Sequence, residues 1–122
     1  MNTILLIEDN FSNVSLLEDI FLFDDIPARL VSVETGEEAL NRAVELQPAL
    51  ILMDLRLPGI DGIEATRRLM TDQPSVGVLL LTAFPSSRVI DEVTTAGAVG
   101  CLSKDDSAET MLNAIRAASA AA

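Results

Sequence analysis

Polar side chains that could bind a cation follow separate apolar runs of the sequence. Glu8 and Asp9 follow the first run, and Asp54 follows the second. Thr82 ends the third run, and Lys104, the only lysine of the chain, ends the fourth. Continuous apolar runs of this length are typical of strands buried on both faces of a parallel sheet, whose carboxyl ends share one edge. The pattern therefore predicts a shared site where carboxylate oxygens bind a divalent cation, beside one ammonium and one hydroxyl.

The elements that must position these groups alternate as strand and helix patterns, which is typical of repeated βα units. Strands are predicted at 3–8, 29–33, 49–54, 76–82 and 99–103. A helix signal follows each strand. The first is an apolar face of Val14, Leu17, Ile20 and Phe21, and the second is a capping box at 35–38 followed by Ala39, Leu40, Ala43 and Val44. The third helix is capped by Asp61 with Glu64, the fourth spans 87–96 with Val89, Ile90 and Val93 on its inner face, and the last begins at 107. Because crossovers are right-handed, helices cover both faces. The predicted fold class is α/β, a doubly wound (βα)₅ three-layer sandwich.

The length of 122 residues indicates one domain. We assign residues 1–119 to it and treat 120–122 as a tail or the start of a linker. No apolar run is long enough to cross a membrane, and the start of the chain lacks the basic segment of a signal peptide. The single cysteine, Cys101, excludes an internal disulfide. We therefore expect a cytoplasmic protein without membrane contact.

The charge of the chain excludes several classes of function. A formal net charge of −11 disfavours direct binding of nucleic acid, because no basic face is available to neutralise phosphates. The sequence contains no histidine, which removes histidine acid–base catalysis and the usual zinc ligands. Part of the acidic charge is expected to bind a divalent cation.

Four segments carry a resemblance to a known family, and they are residues 6–10, 53–62, 81–83 and 97–104. With all four in this order, the chain resembles the receiver domain of two-component response regulators, the CheY-like phosphoacceptor module, over essentially its whole length. The resemblance implies the flavodoxin-like sheet order 2-1-3-4-5. The Gly-Ala-x-Gly segment at 97–100 and the pair Lys104–Asp105 are most similar to receivers that precede a helix-turn-helix DNA-binding domain.

The resemblance implies that Asp54 accepts a phosphoryl group from a sensor histidine kinase. An ionised carboxylate is already a nucleophile, so the absence of histidine from this chain is no obstacle. It also implies a Mg²⁺ ion held by Glu8, Asp9, Asp54 and the backbone carbonyl of Arg56. The phosphorylated state is expected to switch a protein–protein contact, in a pathway that controls transcription. The chain would catalyse only its own phosphorylation and slow dephosphorylation, so we do not expect an enzyme.

The remaining site positions are expected to read out the phosphoryl group. Lys104 resembles the lysine that pairs with that group, and Thr82 resembles the switch hydroxyl that moves to it. The loop of Ala83 and Phe84 is expected to rearrange with the hydroxyl. We further expect the bulky Phe84, which with Arg56 flanks the pocket entrance, to shield the acyl phosphate from water.

Two positions depart from the family pattern. Cys101 stands where an aromatic residue is usual, so the inward turn of a ring cannot report the switch here. Either the coupling differs or the fourth helix and fifth strand barely move; otherwise Cys101 is a small apolar core residue. Asp105 follows Lys104 where many receivers have proline and a cis bond, so we predict a trans peptide.

Other readings of the same residues stay open. One is a pseudo-receiver that binds a partner without phosphorylation. Another is a phosphatase of the same doubly wound type, disfavoured because Arg56 stands where a second aspartate would act as general acid. A flavin protein is disfavoured because no phosphate-binding loop follows the first strand and no tryptophan or tyrosine is present. The sequence leaves open the kinase, a DNA-binding domain beyond Ala122, and a homodimer formed on phosphorylation.

Overall fold

The computed structural model describes residues 2–10, 15, 17–19 and 28–121. Its strands are β1 (Asn2–Ile7), β2 (Ala28–Val33), β3 (Leu50–Asp54), β4 (Gly77–Thr82) and β5 (Gly100–Ser103). The helices with described bounds are α1 (Gly36–Leu46), α2 (Gly62–Asp72), α3 (Ser87–Ala96) and α4 (Ala108–Ala121). Residues 15 and 17–19 are also helical, within the predicted first helix. Val14, Ile20 and Phe21 of that prediction lie outside the described residues.

The strands form one parallel sheet in the order β2-β1-β3-β4-β5, which confirms the predicted topology. Every residue of β3 and β4 is buried. Unbroken apolar runs are required there because helices cover both faces of the inner strands. The residues of the edge strand β2 are half-buried or exposed except Val33, as its mixed sequence predicts.

Successive side chains along each strand point to opposite faces of the sheet and pack into two hydrophobic clusters, one on each face. On one face, Leu6 and Leu52 pack with Leu17 and with Ile115 of α4. The other face takes buried residues from β1 and β3 together with Ala39, Ala43, Ala65, Leu69 and Val93 of α1, α2 and α3. The protein is therefore a three-layer α/β sandwich of the flavodoxin-like type. None of the described helices is both long and apolar enough to cross a membrane.

Side-chain caps fix where the helices begin at the carboxyl edge. The Oγ1 of Thr35 accepts the Glu38 backbone N–H at 3.1 Å, and Asp61 Oδ1 accepts the Glu64 N–H at 2.8 Å. Both caps were predicted from the sequence. Two predicted inward-facing residues are instead exposed: Val44 by 59% and Ile90 by 45%. They lie at the margins of their helical stripes, whose buried positions are Ala39 and Ala43 in α1 and Val93 in α3.

Candidate functional site

The polar groups predicted to converge lie at neighbouring strand ends. Glu8 directly follows β1, Asp54 ends β3, Thr82 ends β4 and Lys104 directly follows β5. The registers pair Ile7 with Met53, Asp54 with Leu81 and Thr82 with Ser103, so all four ends are level. Residues separated by nearly a hundred positions thus share one edge of the sheet, as expected for a parallel order.

Glu8, Asp9 and Asp54, together called the acidic cluster, bring carboxylate oxygens within 4.8 Å of one another. Glu8 and Asp54 are buried, with 2% and 5% of their surfaces exposed, whereas Asp9 is exposed. Burial, and secondly the charge of Asp54, raise the pKa of Glu8 above its ordinary value. The folded protein therefore holds these charges together at an energetic cost.

Glu8 shows why the acidic cluster fits a cation. Its Oε1 accepts the Asn10 N–H at 3.1 Å, but its buried Oε2 has no hydrogen-bond partner among the described residues. The Lys104 Nζ lies 3.2 Å from that oxygen as an ion pair, outside hydrogen-bond geometry. A buried carboxylate oxygen without a donor, beside two further carboxylates, suits a hard cation such as Mg²⁺.

Lys104 contacts both the acidic cluster and Thr82. Its Nζ donates to Asp54 Oδ2 at 3.0 Å and pairs with Glu8. Burial opposes its charge, but its hydrogen bond to Asp54 and the nearby negative charges of Glu8 and Asp54 outweigh burial and raise its pKa. The backbone N–H of Lys104 donates to the Thr82 carbonyl at 2.8 Å, which fixes the root of the side chain.

Thr82 is buried, and its hydroxyl oxygen accepts the backbone N–H of Phe84 at 3.2 Å. The hydroxyl is thus engaged by its own loop. Ala83 is exposed, and Phe84 is 75% exposed. The side chain of Arg56 is exposed as well, while its N–H donates to Asp54 Oδ1 at 3.2 Å. The predicted shielding by Phe84 stays a prediction.

Cys101 lies half-buried on β5 and packs against the core. Burial, with the charge of Asp106 second, raises the pKa of its thiol, so the thiol stays protonated at neutral pH. An apolar cavity of about 350 Å³ lies beside Cys101 and is lined mostly by small residues: Gly100, Ala114, Ala117 and Ala118, with Leu79, Val99 and Leu102. The Lys104–Asp105 peptide is trans, as predicted.

Two polar residues near the site were not foreseen. Asp106 Oδ2 accepts the Ser103 N–H at 2.9 Å and so caps the end of β5. Glu37, at the start of α1, accepts the backbone N–H of Ile60 at 2.8 Å. The spacing of Ser103 and Asp106 is that of a capping box, in which an acidic side chain accepts the N–H three residues before it, and this pattern could have identified Asp106. Nothing in the local sequence pairs Glu37 with a residue 23 positions away.

Comparisons with known proteins agree with this geometry. The family profile of the response regulator receiver domain matches residues 4–116. The transcriptional regulatory protein LnrK of Bacillus subtilis (strain 168) is 42% identical over 86 residues, covering 70% of this chain and 39% of that protein. The response regulator GacA of Pseudomonas protegens is 41% identical over 83 residues, covering 68% and 39%.

A solved structure supports the same assignment. The two-component response regulator of the LuxR family from Aurantimonas sp. SI85-9A1 superposes with a TM-score of 0.86 and 28% identity, over 97% of this chain and 84% of that one. The chain spans about 39% of the length of the curated relatives it matches. Because the family profile matches nearly the whole length of the chain, the chain belongs to the response regulator receiver domain family.

Proposed function

We propose that Asp54 accepts a phosphoryl group from a partner histidine kinase and that this modification switches a protein–protein contact. The observation that carries the proposal is the buried Asp54 carboxylate, which Lys104 contacts beside Glu8 in a chain of this family. One Asp54 oxygen forms the bond to phosphorus while the bond to the donor nitrogen breaks in line. The electron pair of that bond leaves with the donor imidazole, so no general base is needed.

We infer that Mg²⁺ is the cation of the acidic cluster, with the Arg56 carbonyl as a further ligand. When all three carboxylates are ionised, Lys104 leaves two negative charges uncompensated, which a divalent cation would balance. Bound Mg²⁺ supplies charge neutralisation between the carboxylates and the incoming phosphoryl oxygens. The backbone N–H groups of Asn10 and Arg56 each donate to one oxygen of the buried Glu8 and Asp54, which orients these carboxylates.

After phosphoryl transfer, the Lys104 ammonium would move from Asp54 Oδ2 to pair with a phosphoryl oxygen. An ammonium about 4 Å from a phosphoryl oxygen gains roughly 1 kcal/mol in water and about 4 kcal/mol at an effective dielectric near 20. The root of Lys104 stays tied to Thr82 through their backbones while the flexible stem moves. The residue therefore holds the product without leaving its strand end.

Thr82 must release Phe84 before its hydroxyl can reach a phosphoryl oxygen. A hydrogen bond to a charged group gains roughly 1.5–3 kcal/mol, and the lost neutral bond offsets about 1 kcal/mol of that. Inverting a two-state equilibrium from 1:99 to 99:1 needs about 5.5 kcal/mol. The switch therefore also needs Lys104 and the loop of Ala83 and Phe84.

The wider role follows from the relatives. LnrK is described as a transcriptional regulatory protein, and this chain spans 39% of its length. We infer a cytoplasmic regulator in which the phosphorylated domain forms a homodimer and controls a DNA-binding domain elsewhere in a longer protein. We also infer that the chain turns over no other substrate, because Arg56 stands where a phosphatase of this fold would carry its acid. The pseudo-receiver alternative has no observation in its favour.

The proposal is tested by intact mass after incubation with acetyl phosphate, with and without Mg²⁺. Wild type should gain one phosphoryl mass only with Mg²⁺, and Asp54→Ala should gain none. Asp91→Ala, which removes an exposed carboxylate on α3, is the matched control and should behave as wild type. A folded wild type that gains no mass, or equal labelling of Asp54→Ala, would overturn the proposal.

A further inference from the structure

Glu37 lies in the first turn of α1 but bonds to a loop that follows a different strand. Its Oε1 accepts the backbone N–H of Ile60 at 2.8 Å. This N–H is the largest cause that lowers the pKa of Glu37, so the carboxylate is ionised at neutral pH. A hydrogen bond to an ionised acceptor is stronger than a neutral one, so this contact can restrain an exposed loop.

The backbone around this bond is shaped for close approach. Gly59 has φ +79°, and a Cβ there would lie 2.5 Å from Glu37 Oε1. A Cβ on Gly36 would lie 2.7 Å from the Ile60 side chain. Only glycine permits both the left-handed turn and this contact, so the loop sits directly on the start of α1.

The restrained loop joins β3 to α2 and leads directly out of Asp54. Its first part is held because Arg56 N–H donates to Asp54 Oδ1 at 3.2 Å. Its last part is held because Gly62 N–H donates to the Leu55 carbonyl at 2.9 Å. Between these anchors, Glu37 holds the loop at Ile60, four residues beyond Arg56.

We propose that Glu37 is a positioning residue for the cation site: its bond to Ile60 holds the loop so that the Arg56 carbonyl faces the acidic cluster. The inference rests on the proposed function, in which that cluster and carbonyl bind Mg²⁺. Glu37 itself is exposed and lies on α1, outside the acidic cluster, so we do not propose it as a ligand. The bond from Ile60 to Glu37 raises the fraction of molecules in which the loop already has the conformation that binds Mg²⁺.

Loss of the bond lowers that fraction, and the apparent dissociation constant rises by the same factor. For one hydrogen bond of this kind, Glu37→Ala should weaken Mg²⁺ binding about three- to tenfold. Glu37→Gln keeps an acceptor oxygen of the same reach but loses its charge, so it should lose clearly less affinity than Glu37→Ala. The maximal phosphorylation rate at saturating Mg²⁺ should be unchanged in both variants, because no reacting group is lost.

The test combines Mg²⁺ titration by calorimetry with amide NMR of the metal-free full chain. Glu37→Ala should raise the dissociation constant and speed hydrogen exchange at the Ile60 amide, and Glu37→Gln should change both readouts clearly less. Glu45→Ala is the control, since Glu45 is an exposed carboxylate at the other end of α1, paired with Arg42. It should leave both readouts unchanged.

The outcomes separate this inference from the function on which it rests. If wild type binds no Mg²⁺, the proposed function and the positioning role both fail. If wild type binds Mg²⁺ and Glu37→Ala binds it equally well, only the positioning role is overturned. It is also overturned if Glu37→Gln loses as much affinity as Glu37→Ala, because the acceptor oxygen would then be irrelevant.

Discussion

The two halves of the site are built in opposite ways. In the acidic cluster, like charges are buried side by side, and the Glu8 Oε2 lacks a hydrogen bond within the described residues. Around Thr82, the hydroxyl oxygen accepts the Phe84 N–H and the carbonyl accepts the Lys104 N–H. On our proposal, a bound cation would stabilise the acidic half, whereas the Thr82 hydroxyl would first have to break its bond to the Phe84 N–H.

Lys104, which joins the halves, should give the largest change in stability. Lys104→Met leaves two buried carboxylates without their ammonium, and the partial exposure of the lysine reduces the cost below that of a fully buried pair. We expect a loss of about 2 kcal/mol in metal-free unfolding free energy, partly recovered with Mg²⁺, measured by urea denaturation. Arg88→Met, which breaks an exposed ion pair with Glu92, should cost close to nothing. Equal costs for the two variants would show that Lys104 is not holding the acidic cluster.

Glu8→Gln should raise the unfolding free energy of the metal-free protein, whereas Lys104→Met lowers it. Because burial and Asp54 raise the pKa of Glu8, its ionised form destabilises the metal-free fold, and the neutral amide should gain about 1 kcal/mol. Mg²⁺ should then stabilise the variant much less than wild type. Thermal melting with and without Mg²⁺ measures both effects.

The pH dependence of this gain is fixed in direction. A carboxyl with a raised pKa binds more protons in the folded state, so folding becomes more favourable as pH falls. The advantage of Glu8→Gln should be full above the raised pKa of Glu8 and vanish as pH approaches the ordinary value of 4.5. An advantage that grows toward acid pH would contradict the assignment of the buried charge.

Thr82→Val should have a smaller effect on stability. It keeps the shape but removes the acceptor of the Phe84 N–H, which should cost about 0.5–1.5 kcal/mol in unfolding free energy. Phosphorylation by acetyl phosphate should continue, since no nucleophile is lost. Thr94→Val removes a hydroxyl that donates to Ile90 on exposed α3 and is the matched control. Loss of phosphorylation in Thr82→Val would assign the hydroxyl to the chemical step itself.

Phe84→Ala should change stability least, by less than about 0.5 kcal/mol, because the ring is mostly in water. Its expected effect is on the product: without the ring, water should hydrolyse the phosphorylated protein faster. The decay of the phosphorylated mass after removal of acetyl phosphate measures this. An unchanged decay would show that Phe84 does not shield the acyl phosphate.

The fold and most of the site follow from rules that act over short stretches of sequence. Apolar runs identify the buried strands, and the residue that ends each run must reach the common edge, which is why Asp54 and Lys104 could be paired across 50 positions. Caps at Thr35 and Asp61 were equally local. The expectation failed at Val44 and Ile90, because the width of a helical stripe depends on how the helix sits on the sheet.

The contacts that could not be predicted from the sequence depend on loop conformation. The bond from Ile60 to Glu37 exists only because Gly59 takes a left-handed turn, and no periodic pattern encodes that meeting. The state of Thr82 is similar: the residue type predicts a hydroxyl at the strand end, but whether it faces Phe84 or the site depends on the loop that follows.

The difference between the two halves can be observed in one amide NMR titration of the metal-free chain, first with Mg²⁺ and then with acetyl phosphate. The Asn10 and Arg56 amides donate to the acidic cluster, and the Phe84 and Lys104 amides report the Thr82 half. Mg²⁺ alone should shift the first pair, and phosphorylation should then shift the second. If Mg²⁺ leaves Asn10 and Arg56 unmoved, or if Phe84 and Lys104 do not respond to the phosphoryl group, the division of the site into a cation half and a switch half is wrong.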